Sequence, residues 1–223
     1  MFENLIDKVI VRYWDVFLLE GLKYTLALSA IAVCGGFIFG SLLALMKMSK
    51  LAPLRWIAAV YIEVIRGTPI LLQLYLFYFM LPQWLPMLEL SKFTCVSVAL
   101  IVNSAAYVSE IIRSGIQAVD PGQMEAARSL GLSKTQAMVR IIIPQAIKNI
   151  LPAMGNEFIM MVKETSLAST FFIGDIMTAY RTVQGATYLV IEPLIFTGII
   201  YFVLTFLLSK VVGVFERRLQ ASD

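Results

Sequence analysis

The chain has 223 residues, of which 59% are hydrophobic and 15% charged, and its mean hydropathy is +0.81. Such a composition excludes an ordinary soluble domain and indicates one polytopic, all-α integral membrane domain. The net charge is only +3, histidine is absent, and Cys34 and Cys95 each lie inside an apolar run, so neither a disulfide framework nor a metal-ligand spacing is expected.

Residues 1–20 mix both signs (Glu3, Asp7, Lys8, Arg12, Asp15, Glu20) and lack the basic leader of a signal peptide. Phe2, Leu5, Ile6, Val9, Ile10, Tyr13 and Trp14 alternate with those charges, as in an amphipathic helix at a membrane surface. Residues 21–217 then read as the transmembrane domain, and 218–223 as a short tail. Tyr24 to Met46 carries no charge and exceeds the ~20 residues a helix needs to cross a bilayer. Gly35, Gly36 and Gly40 give it a small-residue patch, for close helix packing or dimer contact.

A second span runs from Trp56 to about Leu81, with Glu63 and Arg66 spaced to pair along the helix. Gly67, Thr68 and Pro69 bend it: the proline removes a hydrogen bond and frees carbonyls in the preceding turn. Gln73 faces the same way as Pro69. A packing kink and a ligand-contact site both explain that pattern. The third span, Phe93 to about Gln117, carries Asn103, Tyr107, Glu110, Ser114 and Gln117 on one helical stripe. Glu110 to Gln117 reads as an interhelical hydrogen-bond seam with Arg113 in reach of Glu110, whereas Asn103 and Tyr107 lie deeper and are pathway candidates.

The polar loop over 118–148 is heavily punctuated. Asp120, Pro121 and Gln123 supply an N-cap, a first-turn proline and a capping-box partner, and Gly131 stands where a left-handed C-cap is wanted. Ser133 with Gln136 forms a second capping box, opening a helix that Pro144 disturbs. Two short helices should therefore meet at a glycine elbow, exposing an Ala126–Ala127 face to a partner.

A fourth span, about Lys148 to Asp175, holds Glu157, Lys163 and Glu164, each costing ~2.5–3.5 kcal/mol at the bilayer centre. Glu157 and Glu164 share one stripe. They point to a partner helix or a watery cavity, or else to a buried structural ion pair. Pro193 to Ser209 is the fifth span, extended to Val214. Five spans put the termini on opposite sides. Lys47, Lys50, Arg55, Arg128, Lys134, Arg140, Lys148, Lys210, Arg217 and Arg218 fall together on one side, which is therefore cytoplasmic, with the N-terminus outside. No phosphate-binding G-x-x-x-x-G-K-[ST] loop occurs, so energy must come from a partner or from an ion gradient.

Glu125, Ala126, Ala127, Gly131, Ile143 and Pro144 resemble, position for position, the EAA loop of permease subunits of binding-protein-dependent ABC importers. The segments Glu63–Pro69 with Gln73, Tyr107–Ile111, Gly155–Glu157 and Lys163–Leu167 resemble the polar amino acid branch of that family. The resemblance implies a type I ABC importer-like fold and a transport subunit rather than an enzyme. It implies no cofactor bound by this chain, with ATP and Mg on a partner ATPase present in two copies and docked on Glu125, Ala126, Ala127, Gly131 and Pro144. It further implies a second permease subunit, identical or different, an extracytoplasmic binding protein and a bacterial cytoplasmic (inner) membrane, with no nucleic acid partner. Some members of that branch hold the amino acid at positions matching Arg66, Thr68, Gln73, Asn103, Glu157, Lys163 and Glu164, to which the stripe adds Tyr107. The two glutamates lean the expected substrate towards a cationic or neutral polar amino acid. An ion-coupled secondary carrier is the alternative; it would have no use for a twice-capped, alanine-rich loop, and it often shows an internal repeat, which is absent here.

Overall fold

The computed structural model describes residues 3–220; Met1, Phe2 and residues 221–223, which belong to the expected N-terminal segment and tail, lie outside the described residues. The described residues are helical throughout, without a strand. The helices are α1 (Leu5–Lys47), α2 (Ala52–Gly67), α3 (Ile70–Trp84), α4 (Lys92–Gln117), α5 (Pro121–Ser129), α6 (Lys134–Ala137), α7 (Ile143–Glu164), α8 (Ile176–Thr187) and α9 (Ile191–Gln220). By length and composition, α1, α4 and α9 can each cross a membrane, and α2 with α3 makes a fourth, broken span or a re-entrant loop.

The bilayer-length helices pack through small residues. Ser29, Ala32, Gly36, Gly40 and Ala44 form the buried stripe of α1, which lies along α4 more extensively than any other pair of helices touches. A Cβ on Gly40 would stand 2.8 Å from the Ala105 carbonyl oxygen, and one on Gly36 would stand 2.6 Å from Ser104 Oγ. The glycine patch is thus spent on packing inside the chain. Between apolar surfaces already out of water, association relies on such close van der Waals approach. The resulting core joins Leu28, Leu74, Val96, Leu100, Met161 and Phe171.

The N-terminal segment does not stand apart from the first span. Its helix runs on into α1, with one non-helical residue at Tyr13 (φ −131°, ψ 15°). Val9 and Phe17 are fully buried against Ile176, Ala179, Val183 and Ile200 of α8 and α9.

The second span expected over residues 56–81 is two helices, α2 and α3, meeting at 107°. Thr68 is extended (φ −117°, ψ 146°), the conformation favoured before a proline, so the helix stops at Gly67. The fourth expected span also has different limits. Pro144 has no N–H for the Arg140 carbonyl, and the turn ahead of it, Met138–Ile142, widens to π-type spacing instead of ending the helix. The helical path therefore continues from α6 into α7, which begins before Lys148. It ends at Glu164, where a 3₁₀ segment, Thr165–Phe171, takes over. Phe172 and Gly174 then turn through positive φ, and Asp175 caps the separate helix α8 by accepting the Met177 N–H at 2.9 Å. Helix α7 is wedged between α4 and α9: Cβ atoms on Gly115 and Gly155 would run into Ile150 and Val212.

Candidate functional site

The residues singled out in the sequence gather at two places. One is the break between α2 and α3. Ending α2 at Gly67 leaves carbonyls of its last turn without helical partners, and a buried side chain takes them. Gln73 Nε2 donates to the carbonyl oxygens of Ile65 (2.7 Å) and Thr68 (3.2 Å) and to Thr68 Oγ1 (2.9 Å). Thr68 Oγ1 itself donates to the Val64 carbonyl at 2.8 Å. The other end of the amide, Gln73 Oε1, accepts from Asn103 Nδ2 of α4 at 2.9 Å. Gln73 and Asn103 are only 3% and 5% exposed.

Against this break lies a cavity of about 340 Å³, lined by Thr68, Pro69, Ile70, Asn103, Tyr107, Glu157, Met160, Met161 and Glu164. Its size falls within the range of small-ligand sites, ~300–1,000 Å³. Helix α7 contributes both glutamates from one stripe. Ser104 Oγ donates to Glu157 Oε1 at 2.9 Å. Among the described residues, neither Glu157 nor Glu164 takes part in an ion pair. The Arg66 guanidinium lies 5.3 Å from the centre of the Tyr107 ring, a cation–π contact at the edge of the cavity; no ion pair joins it to Glu63 among the described residues.

Of the eight residues expected to meet a substrate, Thr68, Asn103, Tyr107, Glu157 and Glu164 line one cavity. Arg66 borders it through Tyr107. Gln73 stands behind it and Lys163 is exposed away from it. Ser104, the hydroxyl that holds Glu157, was not anticipated; its only signal in the sequence is a polar residue at mid-span.

Lower on α4, the expected seam is present and crosses between helices. Lys47 Nζ of α1 lies 2.7 Å from Glu110 Oε1, Arg113 Nη2 lies 2.7 Å from Glu110 Oε2, and Arg113 Nη1 donates to Gln117 Oε1 at 2.6 Å.

The second place is the elbow between α5 and α6. Gly131 has φ +88°, and the Leu132 N–H reaches back to the Ala127 carbonyl at 3.1 Å, closing a Schellman turn that only a residue tolerant of positive φ can make. Ser133 and Gln136 complete the expected capping box in both directions, at 3.2 and 2.8 Å. The first cap differs: Asp120 Oδ1 accepts the Gly122 N–H at 2.9 Å, and Gln123 reaches instead for Gln145. Glu125, Ala126, Gly131 and Pro144 are exposed, but Ala127 is 5% exposed and turned inward. The small-residue face offered outward is therefore Ala126 alone, flanked by Glu125 and by Leu130, which is 85% exposed.

A helical chain with helices of membrane-crossing length, a broken span beside a cavity bearing two carboxylates, and an exposed, capped elbow has the parts of a membrane transport subunit. Comparison with known proteins gives the family: residues 36–221 match the binding-protein-dependent transport system inner membrane components, and the chain belongs to that family. It is 45% identical over 207 residues to the arginine transport system permease protein ArtQ of Bacillus subtilis (strain 168), covering 93% of this chain and 94% of that protein. It is 41% identical over 204 residues to the probable glutamine ABC transporter permease protein GlnM of the same organism, covering 92% and 94%. A crystal structure of an amino acid ABC transporter with histidines superposes with a TM-score of 0.88 at 50% identity, covering 94% of this chain and 96% of that one. The inward-facing MetNI methionine ABC transporter shares the fold, with a TM-score of 0.67 at 19% identity. The chain is thus a multi-pass permease subunit of a binding-protein-dependent amino acid ABC importer with the type I permease fold.

Proposed function

We propose that this permease carries a cationic amino acid through the cavity beside the α2–α3 break. The observation that carries this reading is the cavity's polarity. Glu157 and Glu164 bring two carboxylates, neither in an ion pair among the described residues, into a space walled by Asn103, Tyr107, Thr68 and two methionines. A ligand rich in N–H donors satisfies those oxygens; an anionic one meets repulsion in a medium of low dielectric. Charged groups at this depth are costly and are retained where they serve a pathway. The relatives named for arginine and glutamine transport are compatible with a polar amino acid of this size.

In the same reading the chain crosses the membrane five times, with α7 as the remaining crossing, the N-terminus outside and the C-terminus in the cytosol. Two ATPase subunits, which bind ATP and Mg, dock on the exposed surface of Glu125, Ala126, Leu130, Gly131 and Pro144. A second permease subunit completes the pore, a binding protein delivers the amino acid from outside, and the assembly sits in a bacterial cytoplasmic membrane. Closure of the ATPase dimer moves the elbow as a rigid piece, because its turn is fixed by caps and by Gly131, and α7 carries that movement straight to Glu157.

The test is ATP-driven uptake of radiolabelled arginine by proteoliposomes holding the permease–ATPase complex, with the binding protein outside and other amino acids as competitors. Lysine and arginine should compete and glutamate should not. Competition by glutamate at equal concentration would refute the cationic assignment.

A further inference from the structure

We infer that Gln73 is a specificity-determining positioning residue, which sets the polarity of the cavity without touching the substrate. The inference rests on the cavity being the amino acid site.

The chain of reasoning starts at the break. The carbonyls of Ile65 and Thr68 can only accept hydrogen bonds. The Gln73 amide, buried beside them, must therefore turn its NH₂ towards α2, at 2.7 and 3.2 Å from those two oxygens. That fixes Oε1 on the side of α4, where it can only accept, so Asn103 must present its own NH₂ to Gln73, at 2.9 Å. Asn103 is an amide with one donor end and one acceptor end. With one N–H held by Gln73 and the amide orientation thereby set, Oδ1 is left as an acceptor to which nothing donates among the described residues, on a side chain that lines the cavity.

The direction of the backbone dipoles at the α2 terminus is thus handed through two buried amides and arrives in the cavity as a hydrogen-bond acceptor. It adds to the oxygens of Glu157 and Glu164. Thr68 Oγ1 offers nothing to oppose it, because it already donates to Val64 and accepts from Gln73. If Gln73 did not hold it, Asn103 could rotate its amide by half a turn at little cost and offer N–H donors instead, which suit a carboxylate-bearing side chain.

The experiment is equilibrium binding of radiolabelled arginine and glutamate to the detergent-purified permease–ATPase complex without the binding protein, so that only the permease selects. The ratio of the two affinities is the readout, since a merely structural defect would weaken both alike. Gln73→Met, nearly equal in length, should reduce the arginine preference about tenfold, the worth of one hydrogen bond to a charged ligand. Adding Asn103→Asp to that variant should restore the preference, because a carboxylate presents an acceptor in either orientation. In the otherwise native complex Asn103→Asp must take up a proton to donate to Gln73 Oε1, and its second oxygen still presents an acceptor to the cavity. The preference should therefore be kept, which makes the test independent of whether Gln73→Met assembles. An unchanged ratio in Gln73→Met, with the ratio lost in Glu157→Gln, overturns the relay and leaves the cavity assignment standing. Loss of the preference in Asn103→Asp also overturns it, by showing that the substrate reads the donor end of Asn103. If Glu157→Gln and Gln73→Met both leave the ratio unchanged, the cavity assignment itself falls and the relay falls with it.

Discussion

The elbow between α5 and α6 and the cavity beside the α2–α3 break solve the same problem, unsatisfied backbone at a helix end, by opposite means. At the elbow every partner comes from within a few residues: Gly131 supplies the positive φ, Leu132 reaches Ala127, and Ser133 and Gln136 cap each other. At the cavity the partners come from afar, Gln73 from the next helix and Asn103 from 30 residues on. A locally satisfied turn keeps its shape when its surroundings move, which suits the coupling role proposed for the elbow. A turn satisfied from other helices takes its shape from their packing, which suits the state-dependent binding proposed for the cavity.

Substitutions can break that contrast. Gly131→Pro should have the largest effect: proline fixes φ near −65° where +88° is needed, so ATP-driven uptake should be abolished while the chain still inserts, measured by uptake and by membrane fractionation of the same cells. Glu157→Gln leaves the Ser104 contact in place and removes a charge from the cavity; arginine binding by the isolated complex should weaken by about tenfold or more. Gly40→Val tests the scaffold that carries both regions. Its side chain would meet the Ala105 carbonyl at 2.8 Å and push α1 off α4, costing about 1–3 kcal/mol, to be seen as a lower unfolding temperature in detergent. Ser133→Ala is the mildest: losing one half of a capping box costs about 1 kcal/mol and should lower uptake only partly, with arginine binding unchanged. If Ser133→Ala instead altered binding selectivity, the two regions would not be separable in the way described.

The same contrast explains what the sequence disclosed. The elbow was legible almost residue by residue, because caps, prolines and glycines act within one turn. Even there, two details needed the fold: Ala127 turns inward, and Gln123 leaves its expected box for Gln145, since neighbouring helices compete for those groups. The cavity was legible as a set of costly polar positions, of which five converge. Which of them face a ligand was not, because Gln73 and Asn103 are told apart only by the order in which their amides are stacked. The bend at Pro69 was expected but its 107° was not, as a proline states that a helix is interrupted and the packing of α3 states where it goes next. Helix α8 was missed altogether. Its signals are there, an Asp175 cap and apolar residues at Ile176, Ala179, Tyr180 and Val183, but the stretch between the expected fourth and fifth spans was given no element of its own.

The most direct test of the elbow as the coupling surface is to isolate the tagged chain from native membranes in mild detergent, with and without Ala126→Trp. Ala126 is exposed and makes no side-chain contribution to the Schellman turn, so a bulky residue there should leave the fold intact. The native chain should carry a stoichiometric ATPase, and Ala126→Trp should lose it while keeping its amount in the membrane. An ATPase that stays bound to Ala126→Trp, or a native chain that comes out alone and moves amino acids down an imposed ion gradient, would contradict the coupling role given to the elbow.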